Sequence, residues 1–290
     1  MNLELIAQAL INGILIGGLY AVMAQGLALV WGVLNIVNLA HGAFIMLGGY
    51  ITWTLFSSEY SIDPFLGLIP AAVIMFGLGY LLQRGLLNFV VRGPMFNTLL
   101  ITFGLEIILA DIVQIYYSAD FRTINPAYAG NSIEIMGLAL PTIRLKVFGL
   151  ALLLSLAMWL FLLHTRLGRA IRATAQNLVA ARLYGVNPRH LYAVTFGIGL
   201  ALAGMAGGMY GMVNQLTPTM GVLLTAKCFA ITIIGGLDNP LGVLVGGVVL
   251  GIIEALTALF IGDTFVNVAS FGVLVLVLIV RPTGLLGKTA

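Results

Sequence analysis

Asn35, Asn38 and His41 recur at intervals of three inside VLNIVNLAHGAFIMLGGY, an otherwise apolar stretch, and Gly42 follows directly. On a helix that spacing stacks the three side chains on one face. Polar side chains at membrane depth are costly and face protein or water rather than lipid. The row therefore has two readings. It lines a solute pathway or holds an unwound segment in place, or it hydrogen-bonds to neighbouring helices as structural glue. His41 alone is not a metal site, because no second ligand stands at i+3 or i+4.

Four more ionisable groups fall inside apolar stretches: Glu106, Asp111, Lys227 and Glu254. Pairing of Lys227 with Glu254 would lower the cost of burying each, while Asp111 stands nearer a span end. Scattered acids of this kind leave open an ion-coupled secondary transporter or channel that works without an ATPase. No paired catalytic groups and no metal-ligand spacing point to an enzyme, and Cys228 as the single cysteine excludes an internal disulfide. The terminal run Pro282 to Thr289 ends like a phosphate-binding loop, but Pro282 stands where the first glycine is required and no helix follows.

The elements that position these residues follow from composition. Of 290 residues 61% are apolar and 8% charged, against roughly 25% charged in a soluble domain. The bilayer must be the solvent, and nothing in the small net charge of +3 suits nucleic acid. MNLELIAQAL lacks the basic region of a removable signal, so the first hydrophobic stretch is expected to stay as a span. A span needs roughly 20 apolar residues. Windows of that kind fall at 5–30, 33–56, 64–83, 95–117, 147–163, 190–213, 219–237, 241–261 and 265–281. The fold expected is an all-α polytopic bundle of about eight to nine spans, one transmembrane domain over 1–290. Segments 33–56 and 219–237 are the ones expected to be broken or re-entrant.

Positive residues set the orientation. Arg84, Arg92, Arg166, Arg169, Arg172, Arg182, Arg189, Arg281 and Lys288 share one face if nine segments cross, against Arg122, Arg144 and Lys146 on the other. The arginine-rich face is then cytoplasmic, the N-terminus outside and the C-terminus inside. Glycine is frequent, with GxxxG spacing at Gly204–Gly208, Gly207–Gly211, Gly242–Gly246 and Gly247–Gly251, which suits close helix packing. A short echo pairs Leu19-Tyr20-Ala21-Val22…Gly26-Leu27-Ala28-Leu29 with Leu191-Tyr192-Ala193-Val194…Gly199-Leu200-Ala201-Leu202 in spans of opposite direction, as inverted repeats would.

The loop 164–189, HTRLGRAIRATAQNLVAARLYGVNPR, begins as a helix and stops at Gly185 before Pro188. Val179-Ala180-Ala181, three residues, then Gly185 has the spacing of the EAA-x-x-x-G loop of ATP-binding-cassette importer permeases. A short helix outside the bilayer with small residues on one side can seat in a partner's cleft. The plain alternative is an ordinary positively charged loop.

These blocks together resemble the LivH-type permeases of branched-chain amino acid importers. The likeness runs through Val30-Trp31-Gly32, Asn38-Leu39-Ala40-His41-Gly42, Met46-Leu47-Gly48, Leu167-Gly168-Arg169-Ala170 and Ala181-Arg182-Leu183-Tyr184-Gly185-Val186-Asn187. It continues in Gly235-Gly236-Leu237, Gly251-Ile252-Ile253-Glu254-Ala255 and Arg281-Pro282-Thr283-Gly284-Leu285-Leu286-Gly287. The resemblance implies a bacterial inner-membrane permease subunit that moves small solutes by alternating access. It also implies a homologous LivM-like second permease, two cytoplasmic ATPases carrying ATP and Mg, and a periplasmic or extracellular binding protein. No cofactor is expected in this chain. Arg169, Ala180, Ala181, Gly185 and Asn187 would couple to an ATPase, and Asn35, Asn38, His41 and Gly42 would border the pathway. Ala43 replaces the acid usual after the His-Gly pair. That leaves an aliphatic amino acid, an amide or urea-like compound and an organic carboxylate all open as solute.

Overall fold

The computed structural model describes residues 3–59, 61–91, 93–135, 137–236, 240–281 and 284–285. Arg92, Lys288, Leu237 and most of the 282–289 run fall outside them. Helices start where short polar side chains or proline supply a cap. Asp63 accepts from the Phe65 amide ahead of Pro64, and Thr165 accepts from Gly168. Asn177 accepts from Ala180, and Asn187 accepts from His190 ahead of Pro188. Each satisfies one of the orphan N–H groups of a first turn.

The order is α1 (Leu3–Leu34), α2 (His41–Ser57), α3 (Pro64–Leu82), a π turn (Gln83–Leu87) running into α4 (Asn88–Val90), and α5 (Met95–Tyr117). A hairpin of β1 (Ser132–Ile135) and β2 (Leu138–Pro141) follows, Ser132 opposite Pro141. Then come α6 (Thr142–His164), α7 (Arg166–Gln176), α8 (Leu178–Leu183), α9 (Pro188–Val213), α10 (Met220–Gly235), α11 (Pro240–Phe260), a 3-10 turn at Asp263–Phe265 and α12 (Val266–Val280). Among the described residues seven helical stretches are long and apolar enough to cross a bilayer.

The two suspect segments are the exceptions. Window 33–56 is helical only from His41, as the 17-residue α2, and window 219–237 holds the 16-residue α10. At 1.5 Å per residue each is roughly 25 Å long, short of the ~30 Å of hydrocarbon. Their directions can be read from contacts. Gln8 near the start of α1 exchanges two hydrogen bonds with Ala139 of the hairpin, and Ile124 and Arg122 bond Gly211 and Leu216 beyond the end of α9. So α1 leaves the hairpin face and α9 arrives there. Tyr50 and Trp53 in α2 pack on Tyr117, which also lies toward the hairpin. On the opposite face Asn88 bonds the Arg189 carbonyl and Arg84 bonds Tyr80, beside His190. Arg122 and Lys146 lie on the hairpin face, over Trp53 and Tyr128.

The two halves of the molecule repeat. A long helix, α1 or α9, is followed by a six-residue irregular segment (35–40 or 214–219), a short helix (α2 or α10) and a proline-initiated long helix (α3 or α11). Helix α1 packs most extensively on α11 and α9 on α3, while α5 flanks α2 as α12 flanks α10. Because α1 and α9 run in opposite directions, the repeat is inverted. The sequence echo marks its axis: Gly26 and Gly199, which it aligns, are the residues that meet where the two helices cross. Beyond them α9 runs six residues longer than α1 before breaking, so the echo fades there.

Glycines make the close seams. Gly13 and Gly17 of α1 lie against the backbone of Gly247, Val248, Gly251 and Ile252, and Gly207 of α9 against Ile45 and Gly49. The GxxxG pairs thus pack helices within the chain, where apolar packing alone gives little net drive in lipid.

Candidate functional site

The polar row of the sequence lies at the break between α1 and α2, and it is not a helical row. Asn35 takes a left-handed conformation (φ 52) that ends α1 and leaves it exposed, while Asn38 and His41 are fully buried. The expected one-face stack fails because residues 35–40 are irregular. Ile36, Asn38 and Ala40 point inward, and the helix that carries His41 starts only at that residue.

Two threonines hold the irregular segment. Thr102 of α5 accepts from the Leu39 N–H at 3.2 Å and lies 3.2 Å from the Val37 carbonyl. Thr225 of α10 accepts from the Gly42 N–H at 2.7 Å and donates to the Leu39 carbonyl at 3.0 Å. Non-helical backbone at membrane depth is tolerated only when protein supplies such partners. His41 Nε2–H donates to the Met23 carbonyl of α1 at 2.9 Å, which leaves Nδ1 buried without a partner. Among the described residues neither side-chain amide atom of Asn38 has a partner, nor does either of Gln25, itself 3% exposed.

Helices α2 and α10 begin side by side here and run apart to opposite faces. A Cβ on Gly42 would strike the Gly221 carbonyl and the Thr225 backbone, so only glycine lets the two starts touch. Beyond the start of α10, an open cleft of about 610 Å³ is lined by Tyr210, Asn214, Gln215, Thr217, Thr219 and Leu223, among others. The junction itself is sealed, with Asn38, His41 and Gly42 all buried.

Lys227 and Glu254 do pair. Lys227 Nζ lies 2.8 Å from Glu254 Oε1 and 3.0 Å from Oε2. Tyr20 donates to Oε2 at 2.7 Å and Ser270 to Oε1 at 2.6 Å. One carboxylate therefore ties α1, α10, α11 and α12 together. Glu106 stands apart, buried in the middle of α5 with no hydrogen bond or ion pair to any described residue, while Asp111 is exposed.

The sequence pattern missed Thr102, Thr225, Gln25, Tyr20 and Ser270. A threonine that braces a broken segment reads the same as one on any apolar helix. Gln25 alone carried a signal, as an amide amid apolar neighbours.

The arginine-rich loop folds as two helices, α7 and α8. Ala181 is buried, Ala180 is half-buried, and Arg169 and Asn187 are exposed, Asn187 as the cap of α9. Gly185 (φ 84) closes α8: the Val186 N–H bonds the Ala181 carbonyl and the Gly185 N–H that of Arg182. That pattern is a Schellman close, for which glycine is preferred. Val179, Leu183 and Tyr184 project outward, 68%, 84% and 90% exposed.

Broken half-helices meeting inside an inverted repeat, with a cap-stabilised helix pair outside the spans, are the architecture of a multi-pass membrane transport subunit. The family described as "Branched-chain amino acid transport system / permease component" matches residues 9–280, and the chain belongs to it. It is 32% identical to the branched-chain amino acid transport system permease protein BraD of Pseudomonas aeruginosa, over 97% of this chain and 95% of that one. It is 30% identical to the permease protein LivH of Escherichia coli (strain K12) over the same shares. The permease protein LivM of that strain is 28% identical over 93% of this chain and 68% of its own length. Among solved structures, PsaBC from Streptococcus pneumoniae in complex with Fab aligns with a TM-score of 0.47 and 12% identity, covering 97% of this chain and 91% of that chain. The chain is accordingly a permease subunit of the ATP-binding-cassette kind.

Proposed function

We propose that this subunit pairs with a homologous second permease to form the pathway of an importer for branched-chain amino acids or related small solutes. Two cytoplasmic ATPases bind the ATP and Mg, and a soluble binding protein delivers solute outside. The N-terminus and hairpin face outward; the loop 164–189 and the C-terminus lie in the cytoplasm. The observation that carries this reading is the crest of Val179, Leu183 and Tyr184 on α8. Large apolar side chains that stand free beside Arg182 and Arg189, outside the spans, call for a protein cover. Alternation would move the seam between α2 and α10, opening the sealed Asn38–His41 junction to each side in turn.

Purification of the tagged chain in mild detergent tests the assembly: a second permease and ATPase subunits are expected. A chain that purifies alone and transports under an ion gradient would overturn it. Gly185→Leu should insert normally yet reduce ATPase retention and uptake on the order of tenfold, because a branched side chain opposes the left-handed close of α8. Normal uptake would remove α8 from coupling.

A further inference from the structure

Among the described residues, three carboxyl or ammonium side chains are buried at membrane depth in the bundle, Glu106, Lys227 and Glu254. Lys227 and Glu254 answer each other, and Tyr20 and Ser270 complete their shell. Glu106 has no such answer. It is the twelfth residue of the 23-residue α5, 8% exposed, and no described residue bonds it. A carboxylate left alone at that depth is costly, and an intramembrane ionisable group of this kind points to function.

Its place says which function. Thr98, Thr102 and Glu106 form the buried face of α5 at intervals of four, so the Thr102 and Glu106 side chains start about 5–6 Å apart. Helix α5 packs on α2 and touches α10. Thr102 accepts from the Leu39 N–H next to Asn38, and its hydroxyl lies 3.2 Å from the Val37 carbonyl on the other side. The Asn38 carboxamide is fully buried, and neither its oxygen nor its N–H groups have a partner among the described residues. The region around Thr102 thus offers two acceptors without a partner among the described residues, a carboxylate and an amide oxygen, beside the amide's own unused N–H groups. What satisfies them is a compact cation with several N–H donors: a primary ammonium.

We infer that Glu106 recognises the ammonium of the transported solute. This rests on the transport reading above and narrows it. A solute with an ammonium gains an ion pair when it reaches the junction, whereas an organic acid without one meets like charge. Asn38 supplies the second acceptor.

The test uses the intact permease–ATPase complex, purified through a tag on this chain, and tritiated L-leucine as probe. Two competitors share its carbon skeleton: isopentylamine, which keeps only the ammonium, and 4-methylpentanoate, which keeps only the carboxylate. The amine should displace leucine at least about tenfold better than the acid. Glu106→Gln, nearly isosteric, should weaken leucine binding about tenfold and erase that preference, and Glu106→Asp should keep the preference. Unchanged binding in Glu106→Gln would show that a neutral carboxyl sufficed, and would overturn the inference. So would stronger competition by the acid, or loss of assembled complex with unchanged binding per complex. Absence of leucine binding in a complex that still holds its ATPases would sink the Glu106 assignment alone. Absence of the ATPases would sink the transport reading beneath it.

Discussion

The Lys227–Glu254 network and the Asn38–His41 junction are both polar, both buried, and both built where α10 meets its neighbours. In the first, every strong donor and acceptor finds a partner across four helices. In the second, backbone groups are carefully satisfied by Thr102 and Thr225, while side-chain atoms of Asn38, His41 and Gln25 are left over. The difference separates two uses of polarity in a bilayer. A closed network fixes helices in place, because breaking one bond strands a charge. A braced backbone with idle side chains keeps its shape while leaving side-chain hydrogen-bonding capacity unused.

The comparison can be broken in four ways, the largest effect first. Glu254→Ala strands the Lys227 ammonium and should cost about 3–5 kcal/mol, read as the folded fraction in a denaturing-detergent titration. The double change Lys227→Met with Glu254→Leu should recover most of that loss; a double variant as unstable as the single would mean that shape, not charge, holds these helices. Tyr20→Phe removes a hydrogen bond to a charged group and should cost about 1.5–3 kcal/mol in the same titration. Ser270→Ala should cost about 1 kcal/mol, since Lys227 and Tyr20 still engage the carboxylate. Asn38→Leu should be within about 0.5 kcal/mol of wild type or stabilise it, because no protein hydrogen bond is lost. Its transport should nonetheless fall by about tenfold. A strongly destabilised Asn38→Leu variant would place Asn38 in a closed network after all.

Much of the fold was legible in the sequence because lipid imposes length and apolarity on every full span. Seven windows match helices, and the sorting of arginines to one face follows from Arg84, Arg169, Arg182 and Arg189. Both short spans are expected from polar or glycine residues: Asn35, Asn38 and His41 do border the break before α2 and Gly235-Gly236 ends α10, whereas Lys227 sits inside intact α10 and marks no break. Where each helix breaks was not legible. Ile36, Val37 and Leu39 are as apolar as their helical neighbours, so hydropathy continues through a segment that the backbone leaves. The hairpin at 132–141 was also missed, since two four-residue strands carry little periodicity. The Lys227–Glu254 pair was readable because each charge needs the other; its hydroxyl shell from Tyr20 and Ser270 was not, because hydroxyls are tolerated widely.

One seam described above has a mechanical meaning. Along α1 and α11, Gly13, Gly17, Gly247 and Gly251 bring backbone directly against backbone. At those four positions no side chain separates the two helices, so the contact there has no rotamers to exchange. Contact this close favours movement of the two helices as one unit. A displacement of α1 along this seam would then carry α11 with it, from the arginine-rich face toward the hairpin face.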